Sequence, residues 1–198
     1  GSNDYYSPIP KRWSRYLSRS KPHPVRVVPG LPYLPMVRRM RQAGWVDLSN
    51  AAGTISLPAG TVSLLGTDDA HIHRDRVGAP ASSWAEPGIL RLGVTHAPYT
   101  RVVSALTSAG SDLILAGHTH GGQVCLPGGR ALVSNCDLPP SRAKGVSYQQ
   151  DVPVQVTAGL GTSRFAPVRV FCPPGEGLVN ITDVPYTHIR AHGTRQEL

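Results

Sequence analysis

Two histidines separated by one residue form the group in this sequence best suited to chemistry. His118 and His120 lie in the stretch AGHTHGGQ, after a short apolar run, Leu113–Ala116, that is typical of a buried strand. Side chains two residues apart in extended backbone point the same way, so both imidazoles can face one small volume. Gly121 and Gly122 then let the chain turn without a Cβ penalty. Neutral imidazole is a common metal ligand, and the pattern therefore indicates a metal site.

A third histidine is expected at the same place for a topological reason. His96 ends a predicted strand, Leu90–Thr95, and a predicted helix, Tyr99–Ala109, separates it from the next strand at Asp112–Ala116. This order indicates a βαβ unit with parallel strands. Open α/β sheets place their sites at the carboxyl ends of such strands. The three histidines are sufficient in number for one zinc ion with an open position.

The loop Gly66–Arg76 forms a second cluster of polar groups, and two interpretations of it stay open. Oxygen and nitrogen ligands at this density can bind a divalent ion. Alternatively, the aspartates brace the turn after a strand and the histidines face solvent. In either case Asp69 is a candidate for supporting the histidine site from behind. The groups concerned are Asp68, Asp69, His71, His73 and Asp75.

Length and charge narrow the class of protein. The 198 residues are enough for one domain with a real core, and the formal net charge is +8. Such a charge attracts phosphate esters, nucleic acid or acidic envelope polymers, but no nucleic-acid-binding motif accompanies it. No apolar run is long enough to span a membrane, and the three cysteines show no metal or disulfide spacing. One basic cluster (Lys11, Arg12, Arg15, Arg19, Lys21) suits a site mouth or a membrane surface; the other (Arg38, Arg39, Arg41) is interpreted as a solvated face.

The remaining pattern predicts a single α/β domain. Prolines between residues 7 and 33 indicate an irregular excursion, and a helix is expected at Pro35–Ala43. A second loop is expected at Pro80–Gly88. Further strands are expected at Val46–Ala51, Thr54–Leu57, Thr61–Leu65, Val124–Leu126, Arg130–Val133, Val152–Ala158, Val168–Phe171 and Leu178–Ile181, the last closing the sheet.

Several of these segments resemble one known family. Gly117-His118-Thr119-His120 resembles the last signature of the calcineurin-like metallophosphoesterases, and Val94–Pro98 resembles the family's segment with a histidine at a strand end. Gly66–His71, Gly159–Arg169 and Gly1–Tyr6 are similar to the branch that includes the bacterial YkuE-type phosphohydrolases. The resemblance extends to about Val184.

The resemblance implies a fold and a chemistry. The fold would be a layered β-sandwich with flanking helices, present here without its N-terminal strands: residues 1–186 form the C-terminal part of one domain, and residues 187–198 form a polar tail. The activity would be hydrolysis of a phosphomonoester or phosphodiester, with a lipid- or envelope-linked ester among the expected substrates. Two divalent ions (Mn, Zn or Fe) would serve it. His96 and His118 would share one ion, His120 would bind the other, and Thr119 and Asp69 would support ligands or substrate.

The sequence also departs from the family pattern. The opening Asp-x-His and Gly-Asp-x-x-Asp segments, which supply a bridging carboxylate, have no counterpart, so the chain is expected to be an N-terminally incomplete enzyme that is inactive alone. Ser2 falls at the position of an asparagine ligand, and Asn3 at that of a proton-donating histidine, which an amide cannot replace. Two alternatives stay open: a non-catalytic metal-binding remnant and a basic module that binds anions. Both a cytoplasmic location and a peripheral one at the membrane or envelope are compatible with the sequence.

Overall fold

A mixed sheet forms the framework of the domain. The computed structural model describes residues 1–7, 29–78, 84, 89–163, 167–179 and 191–192. Within these residues the strands are β1 Ala52–Leu57, β2 Gly60–Gly66, β3 Leu90–Thr95, β4 Leu113–Ala116, β5 Gly145–Gln149 and β6 Val152–Val156. They form a six-stranded sheet in the order β1-β2-β3-β4-β6-β5. A separate pair, β7 Leu178–Val179 and β8 Ala191–His192, is antiparallel.

The four central strands of the sheet are parallel, and only the outer pairs are antiparallel. β2, β3, β4 and β6 run in the same direction, whereas β1 and β5 pair antiparallel with β2 and β6. The central strands are mostly apolar and largely buried, as parallel strands covered on their faces usually are. As a consequence, the carboxyl ends of four neighbouring strands meet at one edge.

One helix provides the main packing partner of this sheet. The described helices are α1 Ser2–Tyr5, α2 Tyr33–Gln42 and α3 Thr100–Ser108. α3 buries an apolar stripe, Val102, Val103 and Leu106, against side chains of the central strands, among them Leu65 and Ile114. By contrast, α2 buries none of its residues.

The centre of the domain agrees with the sequence prediction. The βαβ unit β3–α3–β4 is confirmed, with Thr95 beside Ala116 in the parallel register. The predicted strands Thr54–Leu57 and Thr61–Leu65 are confirmed within β1 and β2, which pair antiparallel, and α2 begins two residues before the predicted Pro35. The combination of a mixed sheet with a packed helix agrees with the predicted α/β class.

The predicted strand Val46–Ala51 is wrong. The Asp47 carboxylate accepts a hydrogen bond from the Ser49 N–H at 3.0 Å, and Asn50 adopts a left-handed φ of 53°. A side chain that binds nearby backbone competes with a strand's ladder of hydrogen bonds. The strand therefore begins only at Ala52.

The later strands were predicted less well. The two strands expected at Val124–Leu126 and Arg130–Val133 are reduced to one bridge between Cys125 and Ala131. The strand expected at Val168–Phe171 is reduced to one bridge between Val170 and Val124. Leu178–Val179 pairs with β8 rather than closing the six-stranded sheet. β5 was missed altogether, because its residues are mostly exposed and give no clear apolar alternation.

Several predictions lie outside the described residues or stay predictions. The first basic cluster falls outside the described ranges. Most of the proline-rich excursion and most of the loop at Pro80–Gly88 fall outside them as well. The layered sandwich, the absent N-terminal strands and the division into residues 1–186 and 187–198 stay predictions. None of the helices in the described part of the chain is both long and apolar enough to cross a membrane.

Candidate metal centre

The ends of two adjacent parallel strands bring His96 and His118 together. His96 follows β3, and Gly117 and His118 follow β4. The Gly117 N–H donates to the His96 carbonyl oxygen at 3.0 Å, which extends the pairing of the strands beyond their last residues. His118 Nδ1 then lies 3.3 Å from His96 Nε2. The predicted convergence of these two imidazoles is therefore observed.

A backbone carbonyl fixes the orientation of the His118 ring. His118 Nε2 lies 3.2 Å from the Asn135 carbonyl oxygen, which can only accept a hydrogen bond. In the tautomer that donates from Nε2 to this carbonyl, Nδ1 presents its lone pair toward His96; the Asn135 side-chain Nδ2 lies 3.5 Å from Nε2. Metal-binding histidines commonly donate their second ring nitrogen in this way.

His120 is held by the loop after β6 and by an arginine. Its φ is 51°, in the left-handed region, and its ring forms a hydrogen bond with the backbone of Gly161. Arg169 donates from Nη1 to the His120 carbonyl oxygen at 3.1 Å, and from Nη2 to the carbonyls of Ala158 and Gly159 at 2.8 and 2.9 Å. It also binds the carbonyl of Gly161. One guanidinium thus ties the His120 loop to residues 158–161.

The role of Arg169 was not found from the sequence. The last segment that resembles the family ends at this residue. However, a single arginine in a polar stretch does not indicate that it will donate hydrogen bonds to carbonyl groups of distant loops. His120 and Arg169 are 49 positions apart. The available signal was the cluster of glycines at 159 and 161, because such turns expose carbonyl oxygens to a neighbouring donor.

His71 joins the same cluster of imidazoles. Its ring centroid lies 4.8 Å from that of His118, and its Nδ1 lies 2.9 Å from the Tyr99 hydroxyl oxygen. The loop Gly66–Arg76 follows β2, which lies next to β3 in the sheet. The strand order therefore explains why this loop lies beside His96. The two clusters that the sequence suggested are therefore neighbours. His73 points elsewhere and is exposed.

Asp69 provides a buried carboxylate beside the histidines. It is 3% exposed; its Oδ1 accepts from the His71 N–H at 2.8 Å, and its Oδ2 has no hydrogen-bond partner within the described ranges. A buried carboxylate oxygen without a donor is costly unless another positive or polar group serves it. The two other aspartates of the loop are engaged in ion pairs, Asp68 with Arg74 and Asp75 with Arg101.

Thr119 braces the loop between the two histidines of the motif. It is buried, donates to the Ala143 carbonyl oxygen at 2.6 Å, and accepts from the Gly121 N–H at 3.2 Å. Its hydroxyl is therefore committed to holding the turn in which His118 and His120 lie.

The N-terminal segment reaches the site through other residues than those predicted. Gly1 packs against the His96 ring so closely that a Cβ on it would lie 2.3 Å from Nε2. Gly1, Asp4 and Tyr5 line a cavity of about 280 Å³ together with Asp69 and His96. Among the described residues, Ser2 and Asn3 do not line that cavity, and Asn3 is exposed.

The pKa values of the three motif histidines are all lowered. Burial is the main cause for each; His118 is further affected by the neighbouring His71 and His96, and His120 by Arg169. A lowered pKa favours neutral imidazole at neutral pH. Neutral imidazoles carry the lone pairs that bind metals.

Comparison with known proteins gives one informative match. The chain is similar to a metallophosphoesterase. It is 31% identical to the uncharacterized metallophosphoesterase YkoQ of Bacillus subtilis (strain 168) over 125 residues, which are 63% of this chain and 45% of YkoQ. The chain thus spans less than half the length of that relative. No family model matches the chain, and no solved structure matches it.

The similarity to YkoQ supports the relationship to the calcineurin-like metallophosphoesterases that the motifs predict. Metallophosphoesterases generally use divalent metal ions. The YkuE-like branch stays a prediction.

The donor groups of the site are of the types that bind divalent ions, and the spacing of one pair suits such an ion. Within the described ranges, no group of three or more His, Cys, Asp or Glu side chains is arranged so that it could hold a metal ion. The pair His96–His118 nevertheless has the right separation, 3.3 Å between ring nitrogens. Two ligands at 2.0–2.1 Å from a tetrahedral ion lie roughly 3.3 Å apart. Asp69, whose Oδ2 has no hydrogen-bond partner among the described residues, lines the same cavity as His96.

Proposed function

We propose that this chain is part of a metal-dependent phosphoesterase. The observation that carries the proposal is the pair His96–His118 at the ends of two parallel strands, with His118 anchored by the Asn135 carbonyl and Asp69 buried nearby. The similarity to YkoQ supports the same reaction class.

The residues present suggest how metal ions would be shared. His96 and His118 would bind one ion, and His120, held by Arg169 and Gly161, would bind a neighbouring one. When bound, such ions polarise the phosphoryl oxygens and lower the pKa of a water that attacks phosphorus. Mn, Zn and Fe are the candidates, since imidazole and carboxylate ligands suit all three.

The protein groups contribute orientation and charge. The hydrogen bond to Asn135 keeps the His118 lone pair directed into the site, and the strand-end contact between Gly117 and His96 fixes the separation of the two rings. Asp69 places a negative charge beside them, which offsets part of the charge of a bound cation. The substrate class that we propose is a phosphomonoester or phosphodiester, and the positive net charge of +8 favours such anions. A lipid- or envelope-linked ester belongs to this class.

Two other functions remain as competing proposals. Asn3 cannot act as a general acid, and a chain without a proton donor could bind metal without turnover. The basic composition alone is also compatible with an anion-binding module that uses no metal. These alternatives differ from the enzyme in metal content and in turnover, so one set of measurements separates the three.

The test replaces His118 with asparagine. His118 has a φ of 68°, and asparagine tolerates this left-handed backbone better than alanine does. Loss of a supporting residue behind a ligand costs about 10–100-fold in metal affinity, so loss of the ligand itself is expected to cost at least roughly tenfold. Metal content is measured by elemental analysis after dialysis against Mn, Zn or Fe.

His73→Asn is the matched control. His73 also has a left-handed backbone, with a φ of 57°, but it is exposed and outside the cluster. Unchanged metal content in His118→Asn, or an equal loss in both variants, would exclude His118 as a ligand. Hydrolysis of nitrophenyl phosphate esters, by this chain and by one extended upstream, then separates an enzyme from a remnant. Metal uptake without turnover in both chains would overturn the enzyme proposal.

A further inference from the structure

The strand β1 forms one edge of the six-stranded sheet. Within the part of the chain that the structure describes, β1 pairs with β2 on one side and with no strand on the other. Its last four residues are exposed, whereas most of β2 is buried. An edge strand presents unpaired N–H and C=O groups that can bind another strand. β1 is therefore a candidate surface for the addition of a strand.

The register shows which backbone groups of β1 point outward. The Gly66 N–H donates to the Ala51 carbonyl oxygen at 2.9 Å, in the same register as the pairing of β1 with β2. Since alternate residues of an antiparallel strand face the same neighbour, Gly53 and Ile55 also direct their N–H and C=O groups toward β2. The residues between them direct theirs away from the sheet: Ala52, Thr54 and Ser56.

The exposed edge of β1 lacks the usual protection against another strand. Edge strands are commonly protected by lysine, by proline or by a bulge. β1, with the sequence AGTISL, contains no lysine or proline, and it pairs with β2 through six consecutive residues without a bulge. The opposite edge of the sheet differs, because Arg142 donates to the Ser147 hydroxyl of β5 at 2.9 Å and places a charge beside that strand.

We propose that two copies of this chain associate through β1, with the two strands antiparallel across a two-fold axis at Thr54. In this register Thr54 faces Thr54 of the second copy, and Ala52 faces Ser56 of the second copy. All the outward-facing residues are then paired, which gives about six hydrogen bonds, two for each of the three facing pairs. A register shifted along the strand would leave some of these groups without a partner.

The side chains of β1 are complementary in the same register. Ile55 would face Gly53 of the second copy, and Leu57 would face Ala51. Ile55 and Leu57 are 43% and 44% exposed, and each would pack against a small residue rather than against another large one. Val46 lies over Gly53, where a Cβ would be 3.0 Å from its Cγ1, and would add an apolar contact. This self-complementarity favours a second copy over an unrelated strand.

The distribution of charge is compatible with this association. The net charge is +8, but residues 48–66 carry no charged side chain, so β1 itself brings no like charges to the axis. A two-fold interface is closed and stops at the dimer. Interfaces smaller than about 1,200 Å² are typical of weak complexes, so we expect a dimer that dissociates on dilution. The proposal involves no metal and does not depend on the proposed catalytic function.

Sedimentation velocity of the 198-residue chain tests the proposal. The chain is expected to form dimers as its concentration rises to about 1 mM, since a small interface is weak. Hydrogen exchange measured by NMR locates the interface. The Thr54 amide is expected to gain protection with concentration, whereas the Gly53 amide, which faces β2, is expected to be protected throughout. A chain that stays monomeric, or a Thr54 amide that gains no protection in the dimer, would overturn the proposal.

Charge variants test the position of the two-fold axis. Thr54→Lys would place two like charges opposite each other and is expected to weaken association about fivefold. Thr61→Lys is the matched control, because Thr61 is exposed on β2 and its carbonyl oxygen binds the Ile89 N–H rather than β1. An equimolar mixture of Thr54→Lys and Thr54→Glu is expected to restore dimers, because position 54 faces itself. Equal losses in the two lysine variants, or a mixture that associates no better than either variant alone, would contradict this register and overturn the proposal.

Discussion

The two sides of the candidate site are built in different ways. The β3–α3–β4 unit is held by burial, with Val102, Val103 and Leu106 packed into the sheet. The segment formed by α1 and α2 is held instead by polar and aromatic contacts. Tyr5 donates to Asp68 at 2.6 Å, Arg74 binds the same carboxylate at 2.8 Å, and the Tyr5 and Tyr33 rings meet edge to face. The first side therefore positions His96 and His118 by buried packing, whereas the second side depends on a few polar and aromatic contacts.

The largest expected effect is a loss of folding stability when a leucine is shortened on the buried side. A leucine on the other side serves as the comparison. Leu106→Ala removes a fully buried side chain from α3 and is expected to destabilise the protein by about 2–5 kcal/mol. Leu34→Ala, on α2, is expected to cost less than about 0.5 kcal/mol, because that side chain is already exposed. Urea unfolding followed by circular dichroism measures both. Similar losses in the two variants would show that α2 is buried in solution and would remove the contrast.

Arg169 is expected to have an intermediate effect that extends to the histidines. Arg169→Lys leaves one ammonium to serve carbonyl groups that the planar guanidinium binds together. We expect a loss of about 1–3 kcal/mol in stability, and metal uptake reduced roughly tenfold because His120 is less well held. Urea unfolding and metal titration test the two parts. Arg142→Lys, at an arginine that binds the Ser147 hydroxyl, is the control and is expected to leave metal uptake unchanged.

The smallest expected effect is on the polar side and depends on pH. Burial alone would raise the pKa of Asp68, but hydrogen bonds from Tyr5 and Arg74 outweigh it and hold that pKa below its ordinary value. Since the folded-state pKa is lower than the unfolded one, the ionised carboxylate stabilises the fold at neutral pH. This contribution is lost as the pH falls through the folded-state pKa.

Asp68→Asn tests this sign directly. The variant is expected to be about 1–2 kcal/mol less stable at pH 7 and to approach the original chain in stability in strong acid. Urea unfolding at several pH values gives the difference. A difference that stays constant down to strong acid would mean that the Asp68 charge does not contribute to folding stability.

The same contrast explains which parts of the structure could be predicted from the sequence. The apolar run of β4 and the 3.6-residue stripe of α3 predicted the βαβ unit and the meeting of His96 with His118, because burial leaves a periodic pattern. The turn at Asp47–Asn50 was misread as a strand, because its structure depends on a side-chain hydrogen bond rather than on periodicity. The positions of His71 and Arg169 depend on the order of strands and loops far apart in sequence. No local pattern encodes those contacts.

The contact between Arg169 and the His120 loop also has a consequence for synthesis on the ribosome. The chain emerges from its N-terminus, so His118 and His120 are made well before the arginine that anchors the second of them, which follows 49 residues later. In the sheet, moreover, β4 pairs with β6 rather than with β5. The edge of β4 that faces β6 therefore stays unpaired until Val152–Val156 has been made. A nascent chain would therefore carry the His118–His120 motif for a time during which His120 lacks its hydrogen bond from Arg169. The contacts between Arg169 and the carbonyl groups of both loops can form only after residue 169 has been made.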